Sequence, residues 1–120
     1  MKRLMIADGA DIVRKVGRRI LSELGFEIME AASGRDALLQ CERSLPDIII
    51  VDAGLDGALD LISNLRALPD GKTIRIYYCV VEADLKTMMA GKRAGASDFL
   101  LKPFDRTILT QTFADQAIAA

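Results

Sequence analysis

Short apolar runs alternate with amphipathic stretches along the whole chain. Residues 4–7 form an apolar run that ends at Asp8, and Val13, Val16, Ile20, Leu21 and Leu24 then recur at three- and four-residue steps. That spacing keeps side chains on one face of a 3.6-residue turn, which predicts an amphipathic helix stopped by Gly25. Residues 26–31, with polar Glu27 and Glu30, predict a second strand, and Ser33 predicts the cap of a helix whose apolar face is Ala37, Leu38 and Cys41. Pro46 ends that connection. Residues 47–51 hold Ile48-Ile49-Ile50-Val51, too short for a helix and rich in branched side chains, as in a strand buried on both faces. Leu59, Ile62 and Leu65 return to helical spacing until the turn signal Pro69-Asp70-Gly71. Residues 73–81 predict a fourth strand, and Leu85, Met88, Met89 and Lys92 a fourth helix ending before Gly95. Residues 97–101 predict a fifth strand, after which Pro103 is expected to open a last helix with Ile108, Leu109 and Phe113 facing inward.

Strict strand–helix alternation predicts an α/β, doubly wound, five-stranded parallel sheet with helices on both faces, because parallel neighbours need crossover connections. In such sheets ligands bind beyond the carboxyl ends of the strands. The residues at those ends are Asp8-Gly9, Asp52-Ala53-Gly54, Val80-Val81-Glu82 and Lys102-Pro103-Phe104. Two carboxylates and one ammonium are thereby expected on one edge. A carboxylate there can attack phosphorus to form an acyl phosphate, a lysine can neutralise the transferred oxygens, and a divalent ion can spread the remaining charge. The plainer reading is a set of solvated loop charges or a structural Asp–Lys pair.

Composition narrows the field. The 120 residues suit one domain, 1–120, so an output module is expected on another chain. With 16 Lys+Arg against 17 Asp+Glu the net charge is -1, which argues against direct DNA binding through summed positive charge. Hydrophobic residues make up 51% and exclude disorder, yet runs such as residues 48–51 and 76–81 are far shorter than the ~18–20 residues that span a membrane. Residues 1–3 lead straight into a strand-like run with no signal-peptide pattern, so a cytoplasmic protein is expected. The chain has no histidine, hence no imidazole base, metal ligand or phosphocarrier. Cys41 and Cys79 stand apart and read as buried small hydrophobes in a reducing compartment. Gly-rich phosphate loops are missing after the first strand, which disfavours a dinucleotide enzyme or NTPase.

Leu4-Met5-Ile6-Ala7-Asp8, Ile48-Ile49-Ile50-Val51-Asp52, Ala94-Gly95-Ala96-Ser97-Asp98-Phe99 and Leu101-Lys102-Pro103-Phe104 carry a resemblance over the whole chain. It resembles the receiver domains of two-component response regulators, of the single-domain chemotaxis type. The resemblance implies a flavodoxin-like strand order 2-1-3-4-5. It also implies Asp52 as phosphoacceptor, Asp8 in the acidic pocket, Lys102 as the pocket lysine, and magnesium held by Asp8, Asp52 and the Gly54 carbonyl. Its implied partners are a sensor histidine kinase or phosphotransfer protein and a downstream protein target, and it implies signalling by contact in place of enzymatic turnover.

Three departures stand out. Gly9 replaces the acid that ligates the metal directly, so weaker magnesium binding is expected. Asp11 is expected to cap the first helix in preference to serving as a substitute ligand. Val80 occupies the position of the switch Ser or Thr, and valine has no hydroxyl to offer a phosphoryl oxygen. The loop after Asp52, Ala53-Gly54-Leu55-Asp56-Gly57-Ala58, is about two residues shorter than the family pattern. Phe99 takes the aromatic switch position; its plainer role is packing against the last helix. Arg14, Lys15, Arg18 and Arg19 form a basic stripe, a solvated face or a docking surface for a kinase or phosphotransferase; as a nucleic-acid footprint four charges without interleaved aromatics are weak. Met88-Met89 is expected to fill core. A partner-binding face is expected over residues 82–93, 97–101 and 104–119, with Phe99 near its centre. Two rival functions remain: a phosphorylation-independent pseudo-receiver, and a small flavodoxin-like hydrolase with Asp52 as nucleophile. The hydrolase wants a general acid two residues beyond Asp52, where Gly54 stands.

Overall fold

The computed structural model describes residues 1–117; residues 118–119 of the expected partner face, and residue 120 of the expected domain, lie outside the described residues. The elements run β1 (Arg3–Ala7), α1 (Asp11–Glu23), β2 (Glu27–Ala31), α2 (Gly34–Arg43), β3 (Ile48–Asp52), α3 (Ala58–Ala67), β4 (Arg75–Val80), α4 (Leu85–Ala94), β5 (Asp98–Leu101) and α5 (Arg106–Ala117). All pairings are parallel, in the order β2-β1-β3-β4-β5. This is the α/β arrangement expected from the alternation, in the strand order implied by the resemblance.

Strand alternation divides the core in two. Met5, Ala7, Ile49, Val51, Ile76, Tyr78 and Val80 face α2, α3 and the end of α4. Leu4, Ile6, Ile48, Ile50, Tyr77 and Cys79 face α1 and α5. The four apolar residues of β3 are all buried, and each such side chain contributes roughly 1.5–3 kcal/mol. On the second face Phe113 packs edge-on against Tyr77, with ring centres 4.8 Å apart, and against Phe26 at 6.3 Å. Both cysteines are free and buried, as their isolation in sequence suggests.

Several expectations are corrected. The last helix opens at Arg106, not Pro103, because Asp105 Oδ1 accepts the Ile108 N–H at 2.9 Å and so caps it; Pro103 lies in the preceding loop after a cis peptide bond. Asp11 does not cap α1. Ala10 holds the cap position without a side-chain bond, while Asp11 pairs with Arg14 at 2.9 Å. Ser33 does cap α2, accepting the Asp36 N–H at 3.1 Å. Residues 71–73 form a short 3-10 turn ahead of β4, and Val81 falls outside the strand, exposed. The α4 methionines fill little core: Met88 is half-buried and Met89 exposed. The Tyr78 ring takes that space, so close to Gly91 that an added Cβ would come within 2.4 Å of it. Phe99 packs against the α2–α3 core, on the opposite face of the sheet from α5.

Candidate functional site

The ends of β1, β3 and β5 deliver three charged side chains to one point. Asp8 follows Ala7 directly; its N–H donates to the Ala31 carbonyl at 3.0 Å, and its Oδ1 accepts the Ala10 N–H at 2.8 Å. It is the one charged side chain buried among the described residues. Asp52 ends β3 in register with Cys79. Lys102 is aligned by its own N–H, which donates to the Val80 carbonyl at 2.8 Å. From there its Nζ donates to Asp8 Oδ2 at 2.6 Å and pairs with Asp52 Oδ1 at 3.0 Å. The side chains of Asp8, Asp52 and Lys102 are 5%, 16% and 19% exposed, so these are not solvated loop charges.

One ammonium against two carboxylates leaves the cluster with a net negative charge. Burial pulls the Lys102 ammonium toward neutrality, but the hydrogen bonds and charges of Asp8 and Asp52 outweigh it and hold its pKa above the ordinary lysine value. The same surroundings act on two neighbours in β4. Burial pushes the Cys79 thiol up to about 12, and burial together with the Asp52 charge raises the Tyr78 phenol.

The short loop after β3 shapes the remaining side of the pocket. The Leu55 N–H donates to the Asp52 carbonyl and the Ala58 N–H to the Leu55 carbonyl, both at 3.0 Å, so two tight turns replace a longer excursion. Leu55 is buried as the plug of that loop, and Gly57 ends it at φ 74°, a left-handed conformation that favours glycine. Gly54 lies against the Asp52 carboxylate: a Cβ built there would stand 3.1 Å from Asp52 Oδ2. A side chain at 54 would crowd the oxygen that Lys102 does not hold.

Asp8, Asp52 and the Gly54 carbonyl are hard oxygen donors, a chemistry that suits magnesium, which keeps several waters and takes one or two carboxylates. Among the described residues no group of three or more His, Cys, Asp or Glu side chains is placed to hold a metal. Gly9 stands beside Asp8 at this edge. Its position has room, since a built Cβ meets nothing nearer than the Ala32 carbonyl at 3.9 Å, but it brings no oxygen.

Val80 is buried and lines a cleft of about 340 Å³ with Gly54, Glu82, Asp84 and Thr87. Phe99 stands one strand over, beside Tyr78 in register, and is half-buried. Glu82 is exposed. On the other side of Lys102, an open apolar groove of about 400 Å³ is lined by Ile12, Val13, Val16, Val81, Pro103 and Phe104. The basic stripe divides. Arg14, Lys15 and Arg18 all reach Glu30, at 3.3, 3.2 and 2.6 Å, whereas Arg19 is exposed. Sequence periodicity missed that the Arg14 guanidinium turns inward to the β1–α1 loop; its one sequence signal is Asp11 three residues earlier.

The family model "Response regulator receiver domain" matches residues 4–114. The chain is 29% identical over 106 residues to the transcriptional regulatory protein CseB of Streptomyces coelicolor, covering 88% of this chain and 45% of that protein. It thus spans about half the length of this curated relative. Among solved structures, Vibrio cholerae chemotaxis protein CheY4 superposes with a TM-score of 0.90 at 26% identity, covering 96% of this chain and 98% of that one. The receiver domain of sensor histidine kinase PA1611 from Pseudomonas aeruginosa PAO1 has the same fold, with a TM-score of 0.85 at 24% identity over 99% and 98% of the two chains; it carries a magnesium ion in its active-site cleft. No helix among the described residues is long and apolar enough to cross a membrane. With a pocket of two strand-end carboxylates bridged by a lysine, and a family match over nearly its whole length, the chain belongs to the response regulator receiver domains of two-component signalling.

Proposed function

We propose that this receiver accepts a phosphoryl group on Asp52 and signals through contact with another protein. One observation carries the reading: Lys102 bridges Asp8 Oδ2 at 2.6 Å and Asp52 Oδ1 at 3.0 Å, leaving Asp52 Oδ2 toward the bare backbone of Gly54. In the transfer, an Asp52 oxygen forms a bond to phosphorus while the bond from phosphorus to the donor nitrogen breaks. The electron pair leaves with that nitrogen, which takes a proton. The Lys102 ammonium stays to balance the charge that arrives on the phosphoryl oxygens. Asp8, Asp52 and the Gly54 carbonyl would hold magnesium, more weakly than a pocket with a third acid, and the bound ion would neutralise phosphoryl charge.

The donor is a sensor histidine kinase or phosphotransfer protein, since this chain has no histidine of its own to carry the group. Its docking surface is the exposed side of α1 with the adjoining apolar groove lined by Phe104 and Lys102. The output surface is the α4–β5–α5 face around Phe99, toward a downstream protein and without direct DNA contact. Gly9 and Val80 favour a second reading, a pseudo-receiver that binds its partner without phosphorylation.

Mass spectrometry after incubation with magnesium and acetyl phosphate or phosphoramidate separates the two. A single hydroxylamine-labile phosphoryl group on Asp52, lost in Asp52→Asn, is the expected result. Equal labelling of Asp52→Asn would remove the assignment, and a parent that no donor labels would favour the pseudo-receiver.

A further inference from the structure

We propose that Arg14 is a positioning residue for phosphoryl transfer: its guanidinium holds the Asp8–Gly9 backbone in place where the second pocket acid is missing. This rests on the Asp52 reading above.

The Arg14 side chain is only 12% exposed, unusual for a residue in a basic surface stripe. Its donors run in three directions. Nη1 donates to the Asp8 carbonyl at 2.6 Å, Nη2 to Asp11 Oδ1 at 2.9 Å, and Nε to Glu30 Oε1 at 3.3 Å. Two carboxylates thus compensate the guanidinium charge, while the shortest contact goes to neutral backbone in the pocket loop. The planar fork makes this possible; a lysine ammonium is a point donor and cannot span the same three acceptors.

The need for such a clamp follows from Gly9. Glycine gives the loop more backbone freedom than any other residue, and this one carries no side chain to tie it to a neighbour or a metal. Asp8 must nevertheless keep Oδ1 on the Ala10 N–H and Oδ2 on Lys102. Lys102 in turn sets Asp52. The chain of contacts therefore runs Glu30, Arg14, Asp8, Lys102, Asp52, and a loosened Asp8 backbone shifts every later member. Misplacement of a reacting group by about 1 Å costs up to ~100-fold in rate.

The test uses Arg14→Met and Arg14→Lys in the full chain, with phosphoramidate as donor at saturating magnesium. Both variants are expected to lower the maximal rate of Asp52 labelling by about tenfold, with the half-saturating donor concentration unchanged, because positioning acts on the transfer step. In the unphosphorylated protein, amide exchange at Ala10 should speed up by a similar factor in both variants, while exchange in the β3 core stays as in the parent. A parental rate in Arg14→Lys overturns the proposal, as does Ala10 exchange that does not change. A fall in rate matched by faster exchange throughout the core makes Arg14 a stability residue and also overturns it. An unlabelled parent defeats the Asp52 reading instead, and the Ala10 exchange then decides the role of Arg14.

Discussion

Restoring the missing acid is the most direct probe of the pocket. In Gly9→Asp a third carboxylate joins Asp8 and Asp52, and the site accommodates it: a Cβ at Gly9 meets only the Ala32 carbonyl, at 3.9 Å. A unit charge pair at 4 Å interacts by about 1 kcal/mol in water, so a divalent ion and one added carboxylate gain about 2 kcal/mol at that separation. That corresponds to roughly thirtyfold in Kd. The opposite holds without metal. One lysine already faces two carboxylates, and a third adds like-charge repulsion of about 1 kcal/mol. The variant should therefore melt below the parent in EDTA and gain more on adding magnesium. Isothermal titration calorimetry at fixed ionic strength reads the affinity, with circular dichroism to establish the fold. Gly9→Asn, which supplies an oxygen without a charge, should fall between parent and Gly9→Asp. A folded Gly9→Asp variant with the parent's magnesium affinity would refute the attribution of weak binding to Gly9.

Two further predictions concern β4. Val80→Thr puts a hydroxyl in a buried apolar position, costing about 1–2 kcal/mol in the free form, and offers a phosphoryl oxygen a charge-assisted hydrogen bond of about 1.5–3 kcal/mol. Chemical-shift differences between phosphorylated and free protein should spread over α4, β5 and α5 in the variant and stay near Asp52 in the parent; a parent that already shifts throughout those elements, unchanged by the variant, would show another switching route. The Cys79 thiol, raised by burial from 9.0 to about 12, keeps its proton in the folded protein where the unfolded chain loses it, so stability falls as pH rises from about 9, by up to about 1.4 kcal/mol per unit. Urea midpoints between pH 8 and 10 should drop less steeply in Cys79→Ala than in the parent, and identical slopes would contradict the assignment.

The fold was legible because its signals are local. Ile48-Ile49-Ile50-Val51 announces a doubly covered strand by itself, and the three- and four-residue steps of α1 need no partner to be read. Asp8, Asp52 and Lys102 were legible because parallel topology brings every strand end to one edge, where the structure places them. What stayed hidden depends on competition between neighbours. Pro103 is a sound first-turn residue, but the Asp105 carboxylate captures the Ile108 N–H and starts α5 three residues later. Met88 and Met89 have helical spacing for a core stripe, yet the Tyr78 ring already occupies the space against Gly91. Arg14 looks like any member of a charged stripe until Glu30 on β2 and the Asp8 carbonyl are brought beneath it.

The two substitutions that set this pocket apart share a property. The contacts among the pocket's own groups are Asp8 to Ala10, Asp8 to Lys102 and Lys102 to Asp52, and none of them needs a side chain at Gly9 or a hydroxyl at Val80. A missing acid and a missing hydroxyl therefore cost the resting protein nothing in these contacts. Their effect falls on states in which a new charge has arrived. A ligand shifts a conformational equilibrium only by its differential affinity for the two forms. Moving a population from 1:99 to 99:1 takes about 5.5 kcal/mol, and one charge-assisted hydrogen bond supplies about 1.5–3 kcal/mol of it. On the proposed acceptor, a phosphoryl group facing Val80 thus loses between about a quarter and just over half of the drive for a complete switch, while Lys102 still attends the transfer. On this reading acceptor chemistry and conformational response are separable in such a pocket: Val80 bears on the response and Gly9 on the hold on magnesium.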